Sequence, residues 1–400
     1  MLGFSQQSKL MLAALFTPGA QKNVTGDVTR WGLPVIIVGE PGIAKSAVVE
    51  ALAEQYQLPC EVLSPGERGE AAFGAVPVPL KDKDGQVRMH YPAPEWTQRM
   101  TAEAGGVVFV DEANTGGPAL QPPLMGLIQA RRIGGTTLHA RVRVMAAMNP
   151  PEIAANGYDL AAPIANRFGW IDWCAPTPED HRAYMLGTAS VQKGLLSAAD
   201  LEESVLDRWG QAFAEARGLE TSFLCAQADW KNKCPKASEP AVSRAWPSDR
   251  SWENATRAYA GAKVHGLTQE ELEVFVSAFV GAKAAEAWFT YIGETDMPNI
   301  ADLLDGKVAF KFEKSRLDRT AAVLNSATAL VTNAGCVRRK ERAEALWEIL
   351  GTVDGSSRDL VLPANEALIL ANLHQGKAAL RVMAQVNPTL NAVNAVAGKR

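Results

Sequence analysis

The sequence predicts an α/β fold: a parallel sheet covered by helices, followed by further helical segments. Three observations carry that expectation. Over residues 1–175 short β-branched runs alternate with helical patterns, the arrangement of strands joined through helical crossovers. VIIV (35–38) and VVFV (107–110) are apolar without alternation, as strands buried on both faces are. After Trp173 the β-branched runs give way to helical patterns punctuated by proline and glycine. At 400 residues the chain is too long for one ordinary core. We therefore expect an α/β core over 1–175, a helical region over 176–266 and a further helical region over 267–400.

Each element has its own signal. KLMLAALFTPGA (9–20) sets one lysine before a short apolar run. A signal peptide calls for more charge and a longer apolar stretch, so the segment reads as an amphipathic first helix, capped by Ser5 or Ser8 and stopped before Pro18-Gly19. VIIV is the first buried strand. The helical stretch 47–56 follows, with Val48, Val49, Leu52 and Tyr56 on one face. PCEVLS (59–64), VVFV, VRVMAAM (142–148) and GWIDW (169–173) supply four more strands. VPVPLKDKDGQVRMHYP reads as a hairpin over about 76–91, with a tight turn at Asp84-Gly85. A second hairpin is expected over about 131–144, turning near Gly134-Gly135. In PALQPPLMG (118–126), Pro122-Pro123 argue for a helix that starts late. Beyond residue 267, helices are expected over 270–291, 316–332 and 339–350.

Composition narrows the function. Apolar residues at 47% and charged residues at 21% describe a soluble globular chain. A net charge of −4 argues against a broad nucleic-acid footprint. The cysteines at 60, 174, 225, 234 and 336 and the five histidines have no converging metal-site spacing, so reduced thiols in a cytoplasmic protein are expected. No stretch approaches the 18 or so continuous apolar residues of a membrane span.

The chemistry-bearing motif is GEPGIAKSA, residues Gly39, Glu40, Pro41, Gly42, Ile43, Ala44, Lys45, Ser46 and Ala47. It departs from G-x-x-x-x-G-K-[ST] only in having Ala44 for the second glycine. A strand, a glycine-bearing loop and a helix N-terminus in that order cradle phosphate with backbone N–H groups and the helix dipole. Lys45 would add a point charge and Ser46 a magnesium ligand. Ala44 is tolerable at negative φ, with Gly39 and Gly42 at the strained positions. VVFVDEAN ends a buried strand in Asp111-Glu112. In an ATP site the first acid holds Mg²⁺ and the second polarises the attacking water. Asn149, ending MAAMN, could hold that water or touch the γ-phosphate. Arg167 in ANRFGW and Arg250 in WPSDRSW are two further candidates.

Together these motifs resemble the AAA+ ATPases, and within them the MoxR family, over about 32–262. GEPGIAKS is similar to that family's phosphate loop and FVDEAN to its Walker B strand. AAMNPPEIAANGYDLAAPIANRF resembles its sensor 1 segment running into the arginine finger, and RAWPSDRSWENA its sensor 2 helix. The hairpin at 76–91 takes the place of the clade's helix-2 insert. The resemblance implies an α/β P-loop NTPase core followed by an α-helical lid over 176–266. It implies ATP and Mg²⁺, with Ser46 and Asp111 as metal ligands, Lys45 and Glu112 in catalysis, Asn149 as sensor 1, Arg167 as arginine finger and Arg250 as sensor 2. It further implies a ring, commonly a hexamer, that remodels or matures a client protein or inserts a metal or cofactor into it, with a VWA-domain partner. Nothing carries over to 267–400.

Two other readings compete. In a nucleic-acid motor, Lys81, Lys83, Arg88 and the strip Arg131, Arg132, Arg141, Arg143 would line a basic pore, but Asp82 and Asp84 interrupt the lysines and no aromatic series accompanies them. In a non-hydrolysing nucleotide-dependent scaffold, Glu112, Asn149 and both arginines would have no catalytic use.

Overall fold

The computed structural model describes residues 4–22, 27–74, 76–100, 105–154, 157–186, 197–333 and 335–386. Helix α1 (Phe4–Leu15) leads into a hairpin of β1 (Pro18–Gln21) and β2 (Val28–Trp31). Strand β3 (Val35–Val38), helix α2 (Lys45–Gln55), strand β4 (Cys60–Leu63) and the single turn α3 (Pro65–Arg68) follow. A hairpin of β5 (Val78–Lys81) and β6 (Val87–His90) precedes β7 (Gly106–Val110) and α4 (Gly117–Ala130). A two-residue-per-arm hairpin, β8 (Arg132–Ile133) and β9 (Thr136–Thr137), leads to β10 (Val142–Met148), α5 (Ala162–Ala165) and β11 (Gly169–Asp172). The helices α6 (Pro178–Met185), α7 (Ala198–Ala226), α8 (Asp249–His265) and α9 (Gln269–Val280) complete this part.

All five strands expected of the core form one parallel sheet, ordered β11-β3-β10-β7-β4. This is the α/β architecture expected of the core, a parallel sheet covered by helices, with helical segments after it. On one face Ile36, Val38, Val108, Val110, Val144 and Ala146 pack against Leu120, Leu124, Leu127 and Ile128 of α4. Each such fully buried aliphatic side chain contributes about 1.5–3 kcal/mol. At β11, Gly169 is needed for space, because a Cβ there would lie 2.6 Å from the Phe279 ring of α9. At Gly261 in α8, a Cβ would lie 2.2 Å from Thr17 Oγ1.

The chain divides into two compact units. One comprises Met1–Lys22, Asp27–Asp207 and Asn232–Ala285; the other Asn23–Gly26, Arg208–Lys231 and Glu286–Arg400. The units therefore part at other places than the expected boundaries at 175 and 266: α8 and α9, on either side of 266, lie in the unit that holds the sheet. The second unit carries its own core of Leu303, Leu324, Leu330, Leu346, Trp347 and Leu368, drawn from α11 (Ile300–Leu304), α12 (Leu317–Thr332), α13 (Arg339–Leu350) and α14 (Leu362–Leu370), which follow α10 (Ala282–Thr295). Asp305 clamps this unit by accepting from Arg342 Nε and Nη2, both at 2.9 Å.

Several expectations change. Ser5 and Ser8 lie inside α1 rather than capping it, and Ser8 Oγ bonds back to the Phe4 carbonyl at 3.0 Å. The helix expected over 270–291 breaks at Gly281, whose φ of +82° separates α9 from α10. Helix α4 starts early, at Gly117, with both prolines inside it. The N–H groups those prolines lack would have met the carbonyls of Pro118 and Ala119, and both of these residues are exposed to water. The second hairpin is shorter than 131–144, because Val142 onward belongs to the sheet.

The basic strip is also not a strip. Arg132 is exposed, but Arg131 and Arg143 are 3% and 0% exposed. Arg143 Nε donates to the Leu15 carbonyl at 3.0 Å, and its Nη2 pairs with the buried Glu202 carboxylate, which also accepts from Arg141 at 2.9 Å. Burial lowers the Arg143 pKa and Glu202 pulls it back up. Removing one partner of such a pair strands a buried charge, at about 3–5 kcal/mol. Glu202→Ala should therefore lower stability by that much in denaturant titrations, whereas Arg132→Ala should stay within about 0.5 kcal/mol. Equal effects for the two variants would contradict the buried-pair account.

Candidate functional site

The carboxyl ends of β3, β10 and β7 converge because β10 lies between the other two. Met148 stands opposite Val38, and Ala146 opposite Val110. The residues that follow are therefore brought to one edge: the loop from Gly39, then Asn149, then Asp111-Glu112. This is where an open α/β sheet binds ligands.

The loop between β3 and α2 is anchored at several points. Gly39 N donates to the Met148 carbonyl at 3.3 Å. Trp173 N donates to the Val38 carbonyl at 2.7 Å, and Trp173 Nε1 to the Ile43 carbonyl at 3.1 Å. Gly39 is needed for space, since a Cβ would approach Ile43 Cδ1 at 2.8 Å and the Trp173 carbonyl at 2.9 Å. Gly42 takes φ +80°, as expected of it, whereas Gly39, expected at the other strained position, is not among the residues with positive φ. Ala44 does not take the negative φ expected of it. It sits at φ 63°, ψ 24°, the left-handed region, where it caps α2 while its carbonyl already accepts from Val48 N at 3.2 Å. The chain has to turn left-handed there to carry the loop into the helix axis. For an L-residue this costs about 1–2 kcal/mol.

Lys45 is buried, and its ammonium uses all three donors: to the Gly39 and Glu40 carbonyls, both at 2.7 Å, and to Asn149 Oδ1 at 2.8 Å. Burial lowers its pKa, while Asp111 and Glu112 act to raise it. Ser46 Oγ donates to Asp111 Oδ2 at 2.5 Å, and Asp111 Oδ1 accepts from Glu112 N at 2.9 Å. Two hard oxygens from the loop helix and the strand tip thus lie within one small cation's reach, a donor set that fits Mg²⁺ with water completing its shell. Glu112 is exposed and takes φ 51°, a second left-handed non-glycine residue. Among the remaining loop residues, Glu40, Pro41 and Ala47 are exposed and Ile43 is half-buried.

The sequence reading passed over Asn114, the last residue of VDEAN. It is buried, and its Nδ2 donates to the Asn149 carbonyl at 3.1 Å, which ties the turn after Glu112 to the tip of β10. Its own carbonyl accepts from Tyr158 N at 2.9 Å. An amide two residues after a strand-tip acid pair was the available signal.

Arg167 and Arg250 are not joined to these residues. Among the described residues no hydrogen bond or ion pair links either one to Lys45, Ser46, Asp111, Glu112 or Asn149. Arg167 follows α5, and its pKa is lowered by burial and then by the nearby charge of Arg250. Arg250 is exposed in the first turn of α8. The segments carrying the two arginines are tied by Asn166, a residue the sequence reading did not single out. Its Nδ2 donates to the Trp246 carbonyl at 2.9 Å, and its Oδ1 accepts from Ser248 Oγ, the α8 cap, at 2.7 Å.

No protein-family model matches the chain, and no curated protein matches it. Among solved structures the chain is similar to a crystal structure described as "a putative ATPase from Cytophaga hutchinsonii ATCC 33406", at 15% sequence identity and a TM-score of 0.43, over 70% of this chain and 82% of that one. No helix among the described residues is long and apolar enough to cross a membrane.

The left-handed Ala44 makes a direct prediction. Glycine removes a penalty of about 1–2 kcal/mol but adds about 0.4–1 kcal/mol of unfolded-state entropy. Ala44→Gly should therefore be neutral to slightly stabilising in thermal melts, and Ala44→Val clearly destabilising. A marked fall in melting temperature for Ala44→Gly would contradict the strain at this position.

Proposed function

We propose that this chain is a MoxR-like AAA+ ATPase of the cytoplasm, working as a ring, most simply a hexamer. It couples ATP hydrolysis to remodelling or maturing a client protein, or to inserting a metal or cofactor into it, together with a VWA-domain partner. The observation that carries the ATPase part is the meeting of Lys45, Ser46, Asp111 and Asn149 at the carboxyl ends of three adjacent strands, as two hydrogen-bonded pairs, Lys45 with Asn149 and Ser46 with Asp111. The client, partner and ring rest on the sequence resemblance.

In this reading Lys45 contributes a point charge to the β- and γ-phosphates, and the N–H groups opening α2 cradle them. Ser46 and Asp111 would hold Mg²⁺, whose chemistry is to neutralise charge between those phosphates. Glu112 accepts the proton of the attacking water. Asn149 orients that water or the γ-phosphate. Arg167 stabilises the charge developing on a neighbouring subunit's γ-phosphate, so turnover should rise with protein concentration. Arg250 couples phosphate to movement of its helix.

A second reading has an observation of its own. Ala44 is left-handed and the Lys45 ammonium is bonded to the carbonyls of its own loop, features suited to a damaged phosphate loop or to a scaffold that binds nucleotide without turning it over. The nucleic-acid reading loses Arg131 and Arg143, whose guanidiniums are buried.

Nucleotide binding and phosphate release, measured separately, distinguish these readings. Wild type should bind and hydrolyse Mg-ATP, Lys45→Ala should lose binding, and Glu112→Gln should bind while turnover falls about 10²–10⁴-fold. Binding without phosphate release by wild type favours the scaffold, no binding the damaged loop, and DNA-stimulated turnover the nucleic-acid motor. Arg167→Ala should keep binding and lose about 10³–10⁵ in turnover; wild-type turnover would exclude it as a finger. A VWA-domain protein recovered with Glu112→Gln would support the partner assignment, and recovery of nucleic acid alone would defeat it.

A further inference from the structure

Arg167 is held by its own chain. Its Nε and Nη2 both donate to Gln129 Oε1, at 3.0 and 2.8 Å, and its Nη1 donates to the Pro163 carbonyl. Gln129 lies in the last turn of α4, the helix that follows Asp111-Glu112. The same helix grips the Arg167 segment a second time, eight residues earlier. Gln121 Nε2 donates to the Asp159 carbonyl at 3.3 Å, and Gln121 Oε1 accepts from Ala161 N at 3.1 Å. Residues 121 and 129 fall on one face of a helix, so α4 presents a face of glutamines to the segment 159–167.

Helix α4 is itself fixed at both ends. Leu120, Leu124, Leu127 and Ile128 are buried in the core. Before its start, Ala113 N donates to the Ala147 carbonyl of β10 at 2.8 Å. At its end, the Gln129 carbonyl accepts from Arg30 Nη1 at 2.5 Å. The C-terminal end of a helix carries partial negative charge, which favours guanidiniums placed there. A neutral amide suits this position. A carboxylate would pair with Arg167 and compete with a phosphate for it, whereas an alkyl side chain would release it to many rotamers, whose freedom must then be given up on docking.

We propose that Gln129 is a positioning residue for Arg167, and that α4 connects the Asp111-Glu112 carboxylates of one subunit to the arginine which that subunit offers its neighbour. The inference rests on the reading of Arg167 as an arginine finger. It makes the state of one ATP site visible to the next through a single helix.

The test uses the full chain with Gln129→Leu, Arg167→Ala and the double variant, measuring binding of a fluorescent ATP analogue and kcat. Gln129→Leu should leave the nucleotide Kd within about twofold and lower kcat by about 10–10²-fold, since small misplacements of a catalytic group cost that much. The double variant should be no slower than Arg167→Ala, because both changes remove one interaction. A purely structural role would shift the melting temperature and Kd with kcat. Gln129 is exposed, and should the leucine variant fold poorly, Gln129→Met provides the same test. Wild-type kcat for Gln129→Leu beside a defective Arg167→Ala overturns the positioning role and leaves the finger reading standing. Wild-type kcat for Arg167→Ala overturns both. A double variant far slower than Arg167→Ala overturns the route through Arg167.

Discussion

The insertion of β10 between β3 and β7 is the constraint on which the candidate site depends. Parallel pairing with Val38 opposite Met148 and Val110 opposite Ala146 sets three strand tips side by side. The side chains beyond those tips then have little freedom. Lys45 reaches Asn149 across one strand boundary, and Ser46 reaches Asp111 across two. A one-residue slip would carry every side chain to the opposite face of the sheet; both faces are packed, as at Val35–Val38, which is buried at every position, so each residue would then have to fit the other face's neighbours.

Within that frame the backbone is bent where the chemistry is concentrated. Ala44 and Glu112 both lie in the left-handed region, alongside Gly42. Such conformations persist when the surroundings over-determine them. Around Ala44 those surroundings are the Trp173 bond to the loop and the start of α2; around Glu112 they are the bonds of Ala113 to β10 and of Thr115 to the Glu112 carbonyl. The two residues cost about 1–2 kcal/mol each, which a sheet core of this kind offsets with one or two buried side chains.

The legible part of this chain was the part written in local pattern. Apolar runs located all five strands, Asp84-Gly85 located a hairpin turn, and the loop and strand-tip motifs picked out Lys45, Ser46, Asp111 and Asn149, which the fold brings together. What stayed hidden depends on tertiary placement. The sign of φ at Ala44 follows from where α2 begins, not from which residue is present. Arginines at 131 and 143 look alike in sequence to those at 132 and 141, yet two are interior because Trp31, Gly32, Leu15 and Glu202 supply partners from distant segments. Two prolines in α4 are tolerated because the carbonyls they leave unbonded belong to exposed residues, Pro118 and Ala119. Asn114 and Asn166 stand beside the motif residues without a role of their own in the pattern, Gln129 lies outside any motif, and the importance of all three lies in whom they touch.

Asn166 and Arg167 make this plainest. The side chain of one is bonded to the cap of α8 and that of its neighbour to the last turn of α4. Two adjacent residues whose side chains are committed to different helices cannot follow one of those helices without loosening the other. Each bond contributes only about 0.5–1.5 kcal/mol net, so exchanging one set for another lies within what differential binding of a ligand can drive. Under the proposed reading, the strand-tip acids act on α4 and the sensor arginine on α8. The dipeptide between those helices is then the place where the two signals are compared.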